Sequence, residues 1–542
     1  MHLSKCFPGG IACNIFKGKY TSMRTYLLII ASLFTQIFMA ANAQTLELVK
    51  EISTGFGSSN PYNFTATANK LFFVAKDDAN QFKLYVTEGT GATTTLLGPA
   101  LAQNGTIYSM IAYNGKLFFT CNDGVNGQEL WTSDGTVAGT VLFKDLYPGA
   151  TGSFPTAFTV ANGKLFFMGG GVDGDRRLYV SDGTPAGTTI IRNNYIDLFN
   201  GFSNFAVMNN EIYFRGDGAP QFAYGLWKSD GTAAGTVLVK AGGFIPGVLG
   251  SNYAVLNNKM YFSGFDYVNG SELWVTDGTT AGTQMVLNMR ADGGGVLNSG
   301  SPMALTVYNS KIYFSAADDT HGQELFVTDG TAAGTALVKD MLPGTGASVP
   351  YQITLYNGLL YILNSYNREL WKTDGTTTGT QLVKIVQESS RFGAVWNNKI
   401  YLISGTSQFL WQSDGTAAGT GFATATNTSA IIRIFATDLN LTPFNSSLYF
   451  GGSCDVISPS VEPLRFVSAT NIHNFSFTGS GNWSNPANWA GGNVPPATLL
   501  SGDIVVINGN CILDIAVHAQ AGSSITVAAG KSLLILGSLT MQ

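Results

Sequence analysis

Charge is the first thing this chain lacks. Only 12 % of its 542 residues are Asp, Glu, Lys or Arg, against about 25 % in an ordinary soluble protein. The formal net charge is −5, with no run of Lys or Arg. That argues against nucleic-acid binding, which needs a basic face. Histidine is scarce as well, at four residues. The five cysteines fall to three beyond residue 43, namely Cys121, Cys454 and Cys511. An odd number at wide spacing is no disulfide framework, and no Cys or His recurs at zinc-ligand spacing. Stability must therefore come from packing. The sequence also has no Gly-x-Ser-x-Gly elbow, no P-loop and no zinc-protease helix.

Long apolar runs are missing too, with one exception near the N-terminus. Tyr26 to Ala41 is apolar except for Ser32, Thr35 and Gln36, it follows Met23-Arg24, and it ends in Ala41-Asn42-Ala43. This is the pattern of an export signal cleaved at a small-x-small site, so the mature chain is expected to begin near Gln44. A single-pass anchor is the alternative, but the run is short for spanning and lacks a basic stop. Residues 1–22 do not resemble a signal start, which makes Met23 a candidate for the true first residue. The expected location is extracellular or the outer cell surface.

What the chain does have is glycine (65 residues), aromatics (12 %) and a phrase that returns. Its clearest copy is Glu129-Leu130-Trp131-Thr132-Ser133-Asp134-Gly135-Thr136-Val137-Ala138-Gly139-Thr140. The acid of the phrase stands at Glu88, Asp134, Asp182, Asp230, Asp277, Asp329, Asp374 and Asp414, with steps of 40 to 52 residues. A period of this size means a solenoid, a propeller or an array. Upstream of each phrase two short apolar runs flank a tight-turn pair: Asn114-Gly115, Asn162-Gly163, Asn209-Asn210, Asn257-Asn258, Asn309-Ser310, Asn357-Gly358 or Asn397-Asn398. Such pairs accept φ > 0 at both positions and signal a hairpin. With the Glu-Leu-Trp strand and a run such as Val141-Leu142-Phe143-Lys144, each unit reads as four antiparallel strands, the size of a propeller blade.

The ends of the array predict a closed ring. Phe444 to Phe450 repeats the hairpin signature and Pro463 to Ser468 resembles a degraded third strand, but no fourth strand follows. Leu46 to Ile52 resembles a fourth strand with no blade before it. Pairing the two removes both open sheet edges. The expected fold is all-β: a propeller of eight to nine four-stranded blades over 44–472, after an N-terminal extension and signal in 1–43. A small solenoid- or sandwich-like β module is expected over 473–542, from its short β runs between Gly, Asn and Ala turns.

The phrase Glu-Leu-Trp-x-Ser/Thr-Asp-Gly-Thr-x-x-Gly-Thr, as in 129–140 and 272–283, resembles the ELWxxDGT repeat family of exported bacterial proteins, frequent in Bacteroidetes-type bacteria. The resemblance spans roughly 46–470. It implies a secreted or surface-attached, propeller-like protein and no established enzymatic activity. This chain departs from the pattern at Glu88, and at Tyr85, Tyr179 and Phe326 in place of Trp.

Three sets of residues are candidates for chemistry. The Asp-Gly-Thr acids could bind Ca²⁺ as a ring, or simply hold turns, where Asp caps backbone N–H groups and Gly takes φ > 0. Asp123, Asp266 and Asp318 each precede a Gly by four and a Glu (Glu129, Glu272, Glu324) by six. That spacing offers either a weak site for a cation or a sugar, or Asx-turn capping. The repeat tryptophans Trp131, Trp227, Trp274, Trp371 and Trp411 are expected in core between blades, whereas Trp396, Trp483 and Trp489 fall off the register and are better prospects for an exposed contact. No catalytic residue and no obligate cofactor is expected. The leading functional reading is an exported, monomeric binding or adhesion protein that presents propeller loops to an extracellular glycan or protein. One alternative is a secreted carbohydrate-active enzyme with paired carboxylates in the central tunnel, for which Asp173 and Asp175 beside Arg176 and Arg177 are a mild irregularity. A structural surface component is another.

Overall fold

The computed structural model describes residues 44–541, apart from 54–56, 99–106, 108, 171–175, 193–204, 219–222, 242–243, 247–251, 291–298, 387–389, 405–407, 435–440, 456, 469–473, 486–487, 490–493, 496–497, 500–503, 520–523, 529–530 and 537. The expected export signal in 1–43, and Asp173 and Asp175, lie outside the described residues. The chain divides into two compact units, one spanning 46–467 and one that includes 468–542.

The first unit is a β-propeller of nine blades. Blades 1 to 8 occupy 62–96, 110–144, 156–192, 206–240, 244–287, 303–339, 350–385 and 390–422, and each pairs its strands antiparallel in chain order. Blade 5 carries an extra short strand, Phe244–Pro246. Blade 9 takes its inner strands from the end of the repeat region, Thr442–Phe444, Ser447–Cys454 and Ser458–Ser468, and its outer strand from Gln44–Leu48. The expected ring of eight full blades plus one shared between the termini of the array is thus what forms. First strands of most adjacent blades touch one another, including Thr442–Phe444 of blade 9 against Tyr62–Ala66 of blade 1. They line the centre, and the fourth strands face outward.

Local chemistry sets each blade. Both residues of the first hairpin take positive φ, for example Asn114 (48°) with Gly115 (73°) and Asn397 (46°) with Asn398 (53°). This primed turn matches the twist of the strands it joins. The second strand is buried on both faces, as in Leu117 to Cys121, because the blade is covered on each side by a neighbour. Nine hydrophobic clusters fill the nine gaps. Phe72 and Val74 meet Leu117, Phe119 and Trp131 between blades 1 and 2. Leu71, Phe73 and Tyr85 meet Phe444, Tyr449 and Val49 between blades 1 and 9. Trp131, Trp274 and Trp411 are buried, and Trp227 and Trp371 are half-buried against the same kind of cluster.

Closure is held by polar contacts as well. Leu46 donates its N–H to Asn427 Oδ1 (3.0 Å) and accepts from Asn427 Nδ2 (2.8 Å). The side-chain amide thus takes the place of a neighbouring strand along the outer edge. Glu47 and Arg465 form a two-pronged ion pair across blade 9, at 2.7 and 3.0 Å.

The second unit is a β-solenoid, which decides between the two expected forms. Three parallel three-stranded sheets stack successive coils, with Asn474 over Ile504 over Ser524 and Ser480 over Asn510 over Ser532. Its core holds Phe477, Val505, Ile507, Cys511, Leu513 and Val517. Trp483 and Trp489 belong to that core and are not exposed contacts. Their rings lie 4.8 Å apart edge to face, and Trp489 Nε1 donates to the Trp483 carbonyl (2.7 Å). They fall off the propeller register because they serve a different core. Trp396 is half-buried, stacked on Phe466 at 6.4 Å. Among the described residues no helix is long and apolar enough to cross a membrane.

The Asn427 clasp is testable. Asn427→Ala removes two hydrogen bonds from the outer strand and is expected to cost about 1–3 kcal/mol. Urea denaturation of residues 44–542 would measure this, and an unchanged midpoint would show that the clasp contributes nothing to closure.

Candidate functional site

Strand direction gives the ring two distinct ends. The hairpins between first and second strands and the Asp-Gly-Thr turns lie at one end. The loops between second and third strands and the linkers between blades lie at the other.

The turn end is built by one repeated device. In blade 2, Asp134 Oδ1 accepts from the N–H (2.8 Å) and hydroxyl (2.7 Å) of Thr136. Thr136 Oγ1 in turn accepts from Gly139 N–H (2.9 Å). Thr140 donates its hydroxyl to the Thr136 carbonyl (2.7 Å) and shares a hydrogen bond with Ser133 Oγ (2.8 Å). Gly135 needs φ of +85°, and a Cβ on Gly139 would collide with the Asp134 carboxylate. The same Asp-to-Thr bonds form at Asp182, Asp230, Asp277, Asp329, Asp374 and Asp414. The Thr136 hydroxyl and then its N–H hold the Asp134 carboxyl below its ordinary range. Glu88 is different. The blade 1 turn is held by Thr93 Oγ1, which accepts from the N–H groups of Glu88 and Thr90. One methylene more takes a Glu carboxylate past its own turn.

A lysine ties four of these turns to the blade before them. Lys144 Nζ donates to the Thr188 carbonyl (2.6 Å), Lys240 to Thr283 (2.8 Å) and Lys384 to Thr420 (2.5 Å). Lys50 does the same to Thr94 (2.8 Å). The segment after Gln44–Leu48 therefore behaves as the ends of the fourth strands of blades 2, 4 and 7 do.

At the linker end the candidate acids do not converge. Asp123 Oδ1 caps the N–H groups of Val125 and Asn126 (2.8 Å each), and its Oδ2 takes Asn126 Nδ2 (2.7 Å). Asp266 caps Val268 and Asn269 in the same way. Asp318 caps Thr320 and pairs with His321 Nδ1 at 2.9 Å. Burial opposes ionisation of Asp123, but the Asn126 and Val125 amides outweigh it and the carboxyl stays below its ordinary range.

The glutamates two residues past each loop glycine turn inward, where sequence reasoning had placed no structural role. Glu129, Glu272 and Glu324 are fully buried. Glu129 accepts from Leu146 N–H, Tyr147 N–H and Ser153 Oγ at 2.9, 3.2 and 2.7 Å. Glu272 takes Met289 and Gly300 N–H at 3.0 and 2.8 Å. Glu324 takes Met341 and Ser348 N–H (2.8 Å each) and Ser348 Oγ (2.7 Å). Glu462 of blade 9 grips the N-terminal segment through Ile52 N–H and Ser59 Oγ. These carboxylates satisfy the backbone of the linkers that lead into the next blade. The readable signal was a Glu in front of Leu-Trp in several blades. Among the described residues no group of three or more His, Cys, Asp or Glu is arranged to hold a metal ion.

Outside these shared caps, the linker end varies from blade to blade more than the turn end does. Large apolar side chains stand out at the tips of its loops: Val125 (71 % exposed) in blade 2, Tyr267 (66 %) and Val268 (71 %) in blade 5, and Tyr366 (66 %) in blade 7.

No family model and no curated protein matches the chain. Among solved structures it is similar to the computationally designed Ika8 protein (13 % identity over 66 % of this chain and 96 % of that one, TM-score 0.35). It is also similar to BamB from Moraxella catarrhalis (11 %, 67 % and 96 %, TM-score 0.38) and to a prolyl endopeptidase chain (10 %, 73 % and 60 %, TM-score 0.34). These likenesses are distant, and the fold assignment rests on the strand pairing.

Two titrations follow from these contacts. Burial pushes Glu272 from 4.5 up to about 7, against the pull of the Met289 and Gly300 amides. The folded chain then keeps a proton that the unfolded chain releases. The group's contribution is full below pH 4.5 and is lost as pH rises toward 7. The stability advantage of wild type over Glu272→Gln should shrink between pH 5 and 8 in denaturant titrations; a constant gap would contradict this. His321 is raised from 6.5, first by its hydrogen bond to Asp318. Its contribution is present below pH 6.5 and fades as pH climbs through the folded value. His321→Asn, which copies Asn126 and Asn269, should keep the loop cap and lose that pH dependence, measured by thermal melting from pH 5.5 to 8.5.

Proposed function

We propose that this chain is an exported binding protein that uses the linker end of its propeller to engage an extracellular glycan or protein. The observation that carries this reading is the asymmetry of the ring. The turn end repeats one hydrogen-bonded cassette with acids exposed. The linker end carries solvent-facing apolar tips in some blades only, with Val125 and Val268 at one shared loop position and the aromatics Tyr267 and Tyr366 peculiar to blades 5 and 7. Amphipathic aromatics at exposed loop tips supply contact area at low entropic cost. The apolar run of Tyr26 to Ala41 supports export, and the repeat phrase supports membership of an exported, surface-associated group.

The buried glutamates are consumed by linker backbone and the loop aspartates by their own turns, so no observation favours a carboxylate-pair hydrolase. Incubating residues 44–542 with insoluble and soluble polysaccharides, with calcium and with chelator, separates the readings. Depletion of the protein without released reducing ends is the expected result. Release of reducing ends would overturn it in favour of an enzyme. Tyr267→Ser combined with Tyr366→Ser should weaken retention several-fold while the melting temperature stays put.

A further inference from the structure

The innermost strands are not all alike, and blade 7 departs in a way that opens a cleft. In blades 1, 3 and 6 a residue at the start of the first strand takes positive φ: Asn63 (55°), Ala157 (59°) and Ala304 (56°). The pairing with the second strand slips there. A threonine two residues on turns its hydroxyl back onto the bulge carbonyl. Thr65 donates to Asn63 O (3.3 Å), Thr159 to Ala157 O (3.2 Å) and Thr306 to Ala304 O (3.2 Å). The bulge and its threonine thus form a closed local unit.

Blade 7 places its bulge earlier, between Pro350 and Gln352, which leaves Tyr351 as the extra residue. Bulges re-aim side chains and recur beside binding sites. Val349, just before it, has φ of +54°, an uncommon conformation for a β-branched residue. It is held from both sides, by Val349 N–H to the Gln323 carbonyl (3.0 Å) and Ser365 N–H to the Val349 carbonyl (3.1 Å). Thr354 occupies the position of Thr306 by register, opposite Tyr361 as Thr306 is opposite Tyr313. No bulge carbonyl takes its hydroxyl.

The result is a cleft of about 330 Å³ between the first strands of blades 6, 7 and 8, with Leu305, Thr306, Tyr351, Gln352, Thr354 and Phe392 in its wall. That lies within the roughly 300–1,000 Å³ range of small-molecule sites. Gln352 spends its carbonyl on Phe392 N–H (2.7 Å), which leaves its amide N–H groups to donate elsewhere. Among the described residues the Tyr351 hydroxyl and the Thr354 hydroxyl make no hydrogen bond. Burial raises Tyr351 to about 12, so at neutral pH its hydroxyl is a donor. Three residues with unspent polar groups therefore line one small space together with Phe392 and Leu305, and no Asp, Glu, His, Lys or Arg lines it. First strands leave the linker end, and Tyr351, Gln352 and Phe392 stand early in theirs. The cleft thus belongs to the end of the ring that carries the exposed aromatic tips.

We propose that this cleft on the inner wall of blades 6 to 8 binds a neutral, polyhydroxylated ligand, one sugar unit of a glycan. The inference rests on the binding reading above and assigns it a subsite. Hydroxyls of the sugar would meet Tyr351, the Gln352 amide and Thr354, and an apolar face of the ring would meet Phe392. Without a charged lining, an anionic or cationic ligand would lose its solvation with nothing to replace it.

The test titrates cellotetraose, maltotetraose and tri-N-acetylchitotriose into residues 44–542 by calorimetry, and repeats each titration with Tyr351→Phe and Thr354→Trp. Tyr351→Phe removes one oxygen, and Thr354→Trp fills the space. At least one oligosaccharide is expected to bind saturably to the wild type. The same sugar should bind several-fold more weakly to Tyr351→Phe and at least tenfold more weakly to Thr354→Trp, with the melting temperatures of all three proteins alike. Equal binding by wild type and Tyr351→Phe would overturn the cleft as the subsite and leave the binding function standing. Failure of all three sugars on the wild type would also overturn it, and retention on polysaccharide in the depletion assay would then show whether the broader reading survives. If Thr354→Trp melts early, Tyr351→Phe alone decides.

Discussion

Each blade of this propeller must be covered on both faces, and everything else in the unit follows from that constraint. A strand such as Leu117 to Cys121 is buried front and back, which no open stack can offer to its first and last members. Only a ring supplies a neighbour to every sheet. The N-terminal strand Gln44–Leu48 meets the need by completing blade 9, and the ninth hydrophobic cluster, with Val49, Phe73, Tyr85 and Tyr449, seals the last gap. The Lys50 bond to Thr94 and the Glu462 bond to Ile52 reproduce at the seam the contacts found between blades elsewhere.

Buried polar groups follow the same constraint. Linkers between blades pass through low-dielectric space, and their N–H groups need acceptors. Glu129, Glu272, Glu324 and Glu462 provide them from the start of a third strand. The cost is a carboxyl pushed up by desolvation, most clearly at Glu272. Blades at which no such Glu stands, such as blade 3 with Arg177 and blade 4 with Gly225 in its place, cannot solve the linker in this way. Variation among blades is thus concentrated at the linker end, while the turn end repeats its Asp, Gly and Thr because each of the three atoms groups is needed by the next.

The two units also divide the labour of packing differently. The propeller alternates sheets around a centre, so its tryptophans lie between blades. The solenoid stacks parallel coils, and Trp483 and Trp489 fill the first of them. Trp483 and Trp489 are out of step with the propeller period because they belong to this second core, whereas Trp396, also out of step, packs half-buried against the core between blades 8 and 9.

Much of this was legible in the residues alone. The period, the Asn-Gly hairpins, the Asp-Gly-Thr turns and the unmatched strands at the two ends of the array depend on local chemistry and simple counting, which a chain carries in its order. The closing partner followed from the need to pair edges, while the blade count stayed between eight and nine until the strand pairing gave nine. Other features depended on which side chains meet in space. The inward path of the glutamates, the lysine ties between blades, the departure of Glu88 from the turn and the early bulge that releases Tyr351 and Thr354 involve partners from separate strands and, in most cases, separate blades. Sequence by itself determined the repeating unit and the ring, because turns and apolar periodicity are local. Only the tertiary structure decided where the polar groups of that ring are spent and where they are left free, because hydrogen-bond partners across a blade interface are set by register and not by distance along the chain.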